Sequence, residues 1–206
     1  MRISELSERT GVPIATVKFY IREGMLPRGE AAGATRAEYG EAHVECLRLI
    51  SALTQVAGLP LARVRDVLSS IDSPPEDPLE VFGRAIGALP PYVEDDGDVS
   101  RARATIEALG LTFEPRFAAV AQLEAAIRAL EAAGLPWDAP TIARYGDAMK
   151  QVAAEEVAPL AGMDRGEAVA YAVLGTALYE PVMLALRRLA HQHRLAEGVD
   201  RPATTS

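Results

Sequence analysis

Hydrophobic positions in this chain recur every three or four residues, in short runs separated by glycine and proline, which is the spacing of amphipathic helices. The first run predicts a short helix capped by Ser4, with Leu6 on its apolar face, ending at Gly11 in a turn suited to a positive φ. Val12 lies between this helix and the next. Pro13 opens the second helix, which extends to about Glu23, at a position where a missing N–H costs nothing. Val17 and Tyr20 are available for packing there, while Thr16, Lys18, Phe19 and Arg22 point at least partly elsewhere. An arginine-bearing hairpin follows, then helices from Glu41 to about Val56 and from Leu59-Pro60 to about Ser70.

Three prolines among Pro74, Pro75 and Pro78 cannot continue a helix, so a linker or sharp turn is expected there. Beyond it the pattern has no strand-like alternation and no internal repeat. Helices are predicted over Leu79–Leu89, from a Ser100 cap to about Leu109, over Phe113–Ala133, over Thr141–Leu160 and from Gly166 to about Glu197. Val120, Leu123, Ile127, Leu130 and Gly134 step by 3, 4, 3 and 4, a narrow seam of the kind that pairs helices. That seam serves either a second subunit or an internal core. The expected architecture is mainly α: residues 1–72 as one domain, a linker at 73–78, an all-helical domain at 79–197 and a disordered tail at 198–206.

Two short helices held by a glycine turn, the second polar and aromatic, present side chains as a helix-turn-helix does to the major groove of DNA. With the hairpin and the helix pair that follows, Met1 to about Ile71 resembles the winged DNA-binding domain of the MerR family of transcription regulators. The resemblance is carried by Ile3-Ser4-Glu5-Leu6, Gly11-Val12, Thr16-Val17-Lys18-Phe19-Tyr20 and Gly24-Met25-Leu26-Pro27. Arg36, Tyr39, Val44–Ile50, Gly58-Leu59-Pro60-Leu61 and Val64–Leu68 continue it. It covers about a third of the chain. Two departures stand out. Lys18-Phe19-Tyr20 replaces the family's Arg-Tyr-Tyr, exchanging a guanidinium fork for a point charge and losing a hydroxyl. The wing has one more residue than usual between Arg36 and Tyr39.

The resemblance implies contacts to DNA from Ser4, Thr16, Lys18, Phe19, Tyr20, Arg22, Arg36 and Tyr39. Lys18 and Arg36 would hold phosphates, Thr16 and Phe19 would approach base edges, and Tyr39 would brace the wing. It also implies a homodimer on a pseudo-palindromic promoter, with RNA polymerase as a partner.

Charge modifies this picture. The chain of 206 residues carries a net charge of −8. Residues 1–72 hold nine Lys/Arg and nine Asp/Glu, so the acidic excess lies entirely in the remainder. DNA affinity must therefore come from a few placed cations, doubled in a dimer. The alternative is an architectural or protein-interaction module that binds DNA without regulating.

One cysteine, Cys46, excludes an internal disulfide and a thiolate metal site, and fits a reducing cytoplasm; no signal peptide is evident. Residues 168–186 are apolar enough to suggest a membrane span, but Glu180-Pro181 interrupts them, which favours a buried helix. His191 and His193 diverge by about 200° on a helix and read as surface residues. Asp95, Asp96 and Asp98 form an acidic loop without a calcium-binding pattern. No phosphate loop, catalytic triad or hydrolase spacing is found, so neither enzymatic activity nor a cofactor is expected.

Glu180, between Tyr179 and Pro181 with Tyr171 and Met183 nearby, has two readings. It either faces solvent or Arg187, or it offers a carboxylate to a cationic organic ligand in an apolar, aromatic pocket.

Overall fold

A computed structural model describes residues 1–32, 37–72, 83, 86–93 and 97–199. The predicted linker at 73–78, most of the helix predicted over 79–89, residues 94–96 of the acidic loop and the tail beyond 199 lie outside the described residues. So does Arg36. The architecture is mainly α, with a short two-stranded hairpin near the N-terminus.

The N-terminal segment forms α1 (Ile3–Thr10), α2 (Ile14–Arg22), the hairpin β1 (Glu30–Ala31) and β2 (Ala37–Glu38), α3 (Glu41–Ser51) and α4 (Leu61–Asp72). Ser4 does not cap α1. Arg2 holds the cap position, and the Glu5 carboxylate accepts the Arg2 amide at 2.5 Å, so a side chain from within the first turn supplies the acceptor. Gly11 adopts φ 70° and donates to the Ser7 carbonyl, ending α1 in the left-handed conformation that glycine tolerates. The helix begun at Glu41 widens into a π-helical turn over Ala52–Val56 before Gly58, instead of continuing as α-helix.

The helical segment comprises α5 (Ser100–Ala108), α6 (Ala118–Ala132), α7 (Ala139–Val157), a 3₁₀ turn (Ala158–Gly162) and α8 (Arg165–Val199). Ser100 is the first helical residue of α5 and not its cap; the Asp98 carboxylate accepts the Ser100 amide at 3.1 Å. Hydrogen bonding from Ser100 holds the Asp98 carboxyl below its usual range. Helix α6 starts at Ala118, five residues later than predicted, with Phe117 in extended geometry at its cap position.

The seam of α6 serves an internal core. Val120 packs with Ala102 and Ile106 of α5, with Leu123, Phe113 and Phe117 against them, and Ile127 is fully buried. Glu124, on the same helix, is buried, and its carboxylate accepts the Ala102 amide at 2.9 Å and an Arg101 N–H at 3.1 Å. A side chain of α6 therefore satisfies an orphan amide in the first turn of α5 and locks the pair.

Two compact units divide the chain differently from the sequence-based expectation. One holds Met1–Leu61 with Ala177–Ser206, and the other holds Ala62–Thr176. Helix α8 thus passes from one unit to the other, and it runs through Pro181 as one helix, as the predicted span from Gly166 to about Glu197 requires. It is not, however, a buried helix throughout. Val169, Ala172, Val173 and Ala177 are buried, but from Leu184 to Glu197 every residue is exposed. Within Glu167–Glu197 an 18-residue window reaches mean hydropathy 1.6, long and apolar enough to cross a membrane by length and composition alone. A sharper pattern lies within it. Tyr179, Val182, Leu186, Leu189, His193 and Ala196 step by 3, 4, 3, 4 and 3 along one face, with Leu186 and Leu189 each 59% exposed.

Candidate nucleic-acid interface

The outward face of α2 is fixed by what its inward face buries. Val17 is fully buried among Leu6, Val12, Leu26, Tyr39, Val44 and Leu47, and Tyr20 and Ile21 pack partly against this cluster. At 100° per residue, burying position 17 turns Ala15, Lys18 and Arg22 outward, and all three are exposed. Phe19 is half-buried at the edge of that face, with the Arg22 guanidinium carbon 5.2 Å from its ring centroid. Arg22 also approaches the Glu23 carboxylate at 3.5 Å. The Lys18 ammonium has no carboxylate within salt-bridge distance among the described residues, and it projects from the middle of the helix.

Thr16 is half-buried, on the boundary between the packed and exposed faces. Tyr20 is assigned mainly to packing, with its ring tilted against Phe19 at 5.7 Å between centroids. Ser4 is exposed in the first turn of α1. The structure therefore gathers Lys18, Phe19 and Arg22 on one surface, places Thr16 at its border, and gives Tyr20 and Tyr39 to the core.

Rigid supports hold this face. The Ser7 hydroxyl donates to the Val12 carbonyl at 2.7 Å, and the Thr10 hydroxyl donates to the Leu6 carbonyl at 2.7 Å, fixing the turn between α1 and α2. An Arg9–Glu41 ion pair at 2.9 Å joins α1 to α3. Cys46 is half-buried, its thiol directed to the Met25 carbonyl at 3.3 Å, which is a packing role.

The wing is anchored at its base. Glu30 pairs with Glu38 and Ala31 with Ala37 in an antiparallel register. Gly29 cannot be replaced without cost: a Cβ there would lie 2.8 Å from the Glu38 carbonyl oxygen and 3.0 Å from the Tyr39 ring. Tyr39 is buried just past β2 and meets His43 edge-on at 5.2 Å. Sequence reasoning assigned no role to Arg28, an exposed cation immediately before Gly29. Its position at the entry to the wing, one residue before an obligatory glycine, was the available signal.

The possible ligand residues on α8 are less concentrated. Tyr171, Glu180 and Met183 are half-buried and Tyr179 is exposed. Burial pushes the Glu180 carboxyl above its ordinary value.

The surface formed by α2 and the wing base has the helical presentation, cations and supporting turn needed to enter a DNA groove. Comparison agrees. The profile of the MerR HTH family of regulatory proteins matches residues 1–71. No curated protein matches the chain. The chain is similar to the crystal structure of a "putative transcriptional regulator" from Streptomyces coelicolor A3(2), at 35% identity and TM-score 0.68, over 96% of this chain and 97% of that one. A helix-turn-helix with this core, hairpin and following helix pair, matched across its whole length, places the chain in the MerR family of DNA-binding regulatory proteins.

Proposed function

We propose that the protein acts in the cytoplasm as a homodimeric transcription regulator, without catalysis, on a pseudo-palindromic promoter site. The observation that carries this reading is the exposed pair Lys18 and Arg22, bordered by half-buried Phe19, on a helix anchored on its other side by fully buried Val17. Lys18, with Arg36 in the wing, holds phosphates and sets register; Thr16 and Phe19 approach base edges, the contacts able to carry sequence information.

Dimerisation follows from the charge balance as well as from symmetry. A domain with equal numbers of acidic and basic residues gains little from general attraction, so two copies on adjacent half-sites multiply a modest contact set. The exposed stripe Tyr179-Val182-Leu186-Leu189 supports pairing of two copies along the second half of α8. By family resemblance, the bound dimer distorts the DNA between half-sites so that RNA polymerase can use a badly spaced promoter, reading deformability as well as base edges.

Selection of bound sequences from random duplex DNA tests the reading. A palindromic consensus with half-sites in successive major grooves is expected. Recovery of unrelated sequences, with binding that only salt controls, would assign the protein to an architectural role instead.

A further inference from the structure

An apolar cleft of about 320 Å³ opens on the unit formed by Ala62–Thr176, at the meeting of α5, α6 and α7. Its volume falls at the lower end of the range for small-molecule sites. One wall is aromatic: the rings of Trp137 and Tyr145 lie 6.1 Å apart between centroids and within 27° of parallel. The wall is held rigid, because the Trp137 indole N–H donates to the Thr105 hydroxyl at 3.0 Å, and Thr105 is itself buried. That bond satisfies the indole donor, so the Trp137 wall presents no unmet polar group to an apolar ligand.

The remaining surface is apolar and adaptable. Leu111 is 45% exposed and Met149 47% exposed, so large hydrophobic side chains line a cleft without cover. The charge at this site is carried by Lys150, whose ammonium sits 2.9 Å from Asp147 in an exposed pair on the same helix. Such a pair contributes little and is readily redirected. The Arg144 guanidinium carbon is 5.4 Å from the Tyr145 centroid. Arg144 lies outside the lining and faces the Asp138 carboxylate, so among the residues lining the cleft the charge is that of Lys150.

We propose that this cleft binds a small aromatic carboxylate, its ring against Trp137 and Tyr145 and its anionic end on Lys150. The ligand class is opposite in charge to the one that Glu180 would select, and the site is separate from the residues around Glu180. Binding does not depend on the DNA reading; a regulatory consequence of binding rests on it.

Trp137 is the chain's single tryptophan, so its emission reports directly on the cleft. The full chain, without DNA, is titrated with 4-tert-butylbenzoate, 4-tert-butylbenzyl alcohol and 4-tert-butylbenzylammonium. The benzoate is expected to shift the emission and to bind about tenfold more tightly than either analogue. Lys150→Met should erase that preference while leaving alcohol binding unchanged. Ala153→Phe, at an exposed lining position, should abolish binding of all three with an unchanged melting temperature. Emission indifferent to every probe, or equal binding of the ammonium, would overturn the proposal. So would emission that tracks protein concentration and not ligand, which would mean that a second copy covers the cleft.

Discussion

Tyr39 and Met1 pair through their backbones: the Tyr39 amide donates to the Met1 carbonyl at 2.9 Å, and the Met1 nitrogen donates to the Tyr39 carbonyl at 2.8 Å. This reciprocal pair ties the start of α1 to the end of the wing. The Tyr39 ring fills the core shared by α1, α2 and α3, so one residue sets the geometry of both DNA-facing elements. Tyr39→Ala should destabilise the protein by about 3–4 kcal/mol, as expected for emptying a buried aromatic site. Tyr39→Phe, which keeps the ring, should stay within about 1 kcal/mol of the parent. Urea unfolding distinguishes the two, and equal loss from both variants would mean that the hydroxyl matters more than the ring.

Lys18 projects from the centre of the exposed face of α2 and is expected to meet a phosphate. Lys18→Ala should weaken binding to all DNA sequences alike. If each protomer of a dimer loses one phosphate contact, the slope of log affinity against log salt becomes shallower by about 2. Phe19→Ala should instead change the preferred sequence with little effect on that slope. Fluorescence anisotropy at several salt concentrations, on selected and scrambled duplexes, separates the two effects.

The contrast between these residues explains what could be read from the sequence. The helix-turn-helix was legible because its determinants are local: Gly11 fixes the turn, and Val17 fixes which way Lys18 and Arg22 face. The caps were misplaced because Glu5 and Asp98 reach backbone amides as effectively as the serines at Ser4 and Ser100. Spacing identified the seam on α6 but not its partner, since a 3-4 pattern is the same whether the facing helix belongs to this chain or another. Pro181 breaks the apolar run in the sequence but not the helix. A missing amide weakens a helix, but packing of residues such as Val173 and Ala177 before it can carry the helix through.

Gly146 is needed for close approach. A Cβ at this position would stand 2.1 Å from Leu109 Cδ2 and 2.9 Å from its Cγ, so helix α7 meets the end of α5 only because the side chain is absent. Gly146→Ala gains up to about 1 kcal/mol of helix propensity, but overpacking costs about 1–3 kcal/mol. A net loss is expected, with melting temperature lowered by about 2–4 °C. Adding Leu109→Ala should make the Gly146→Ala change favourable. A double-mutant cycle without such coupling would mean that Leu109 moves aside freely.

Glu180 gives a pH signature. Burial raises its carboxyl above the ordinary value of 4.5, so the folded state holds the proton more tightly than the unfolded state. Stability attributable to this group is full below pH 4.5 and falls as pH rises through the elevated folded-state value. Glu180→Gln removes that penalty. The variant should melt about 1–2 °C higher than the parent at neutral pH, a small gain because the side chain is half-exposed. The advantage should vanish in acid. A gain that is independent of pH would rule out titration of this carboxyl as its source.

The two apolar seams predict opposite consequences for the same kind of substitution. Leu123 packs against the Val120, Ala102 and Ile106 cluster, so Leu123→Asp places an unpaired charge at a core and should unfold the helical unit. Leu189 is 59% exposed, on the face shared by Val182 and Leu186, so Leu189→Asp costs the isolated chain little. In a dimer paired along this stripe, the same aspartate meets its symmetry mate or apolar partners across the interface, where it is strongly unfavourable. Leu189→Asp should therefore yield a folded monomer by light scattering, with helicity retained by circular dichroism. Its affinity for a two-half-site duplex should fall by about 10²-fold or more, because linkage between the two binding events is lost. Affinity for a single half-site should remain near the parent value. A Leu189→Asp protein that stays dimeric would exclude the second half of α8 as the two-fold contact, and a folded Leu123→Asp monomer would return that role to α6.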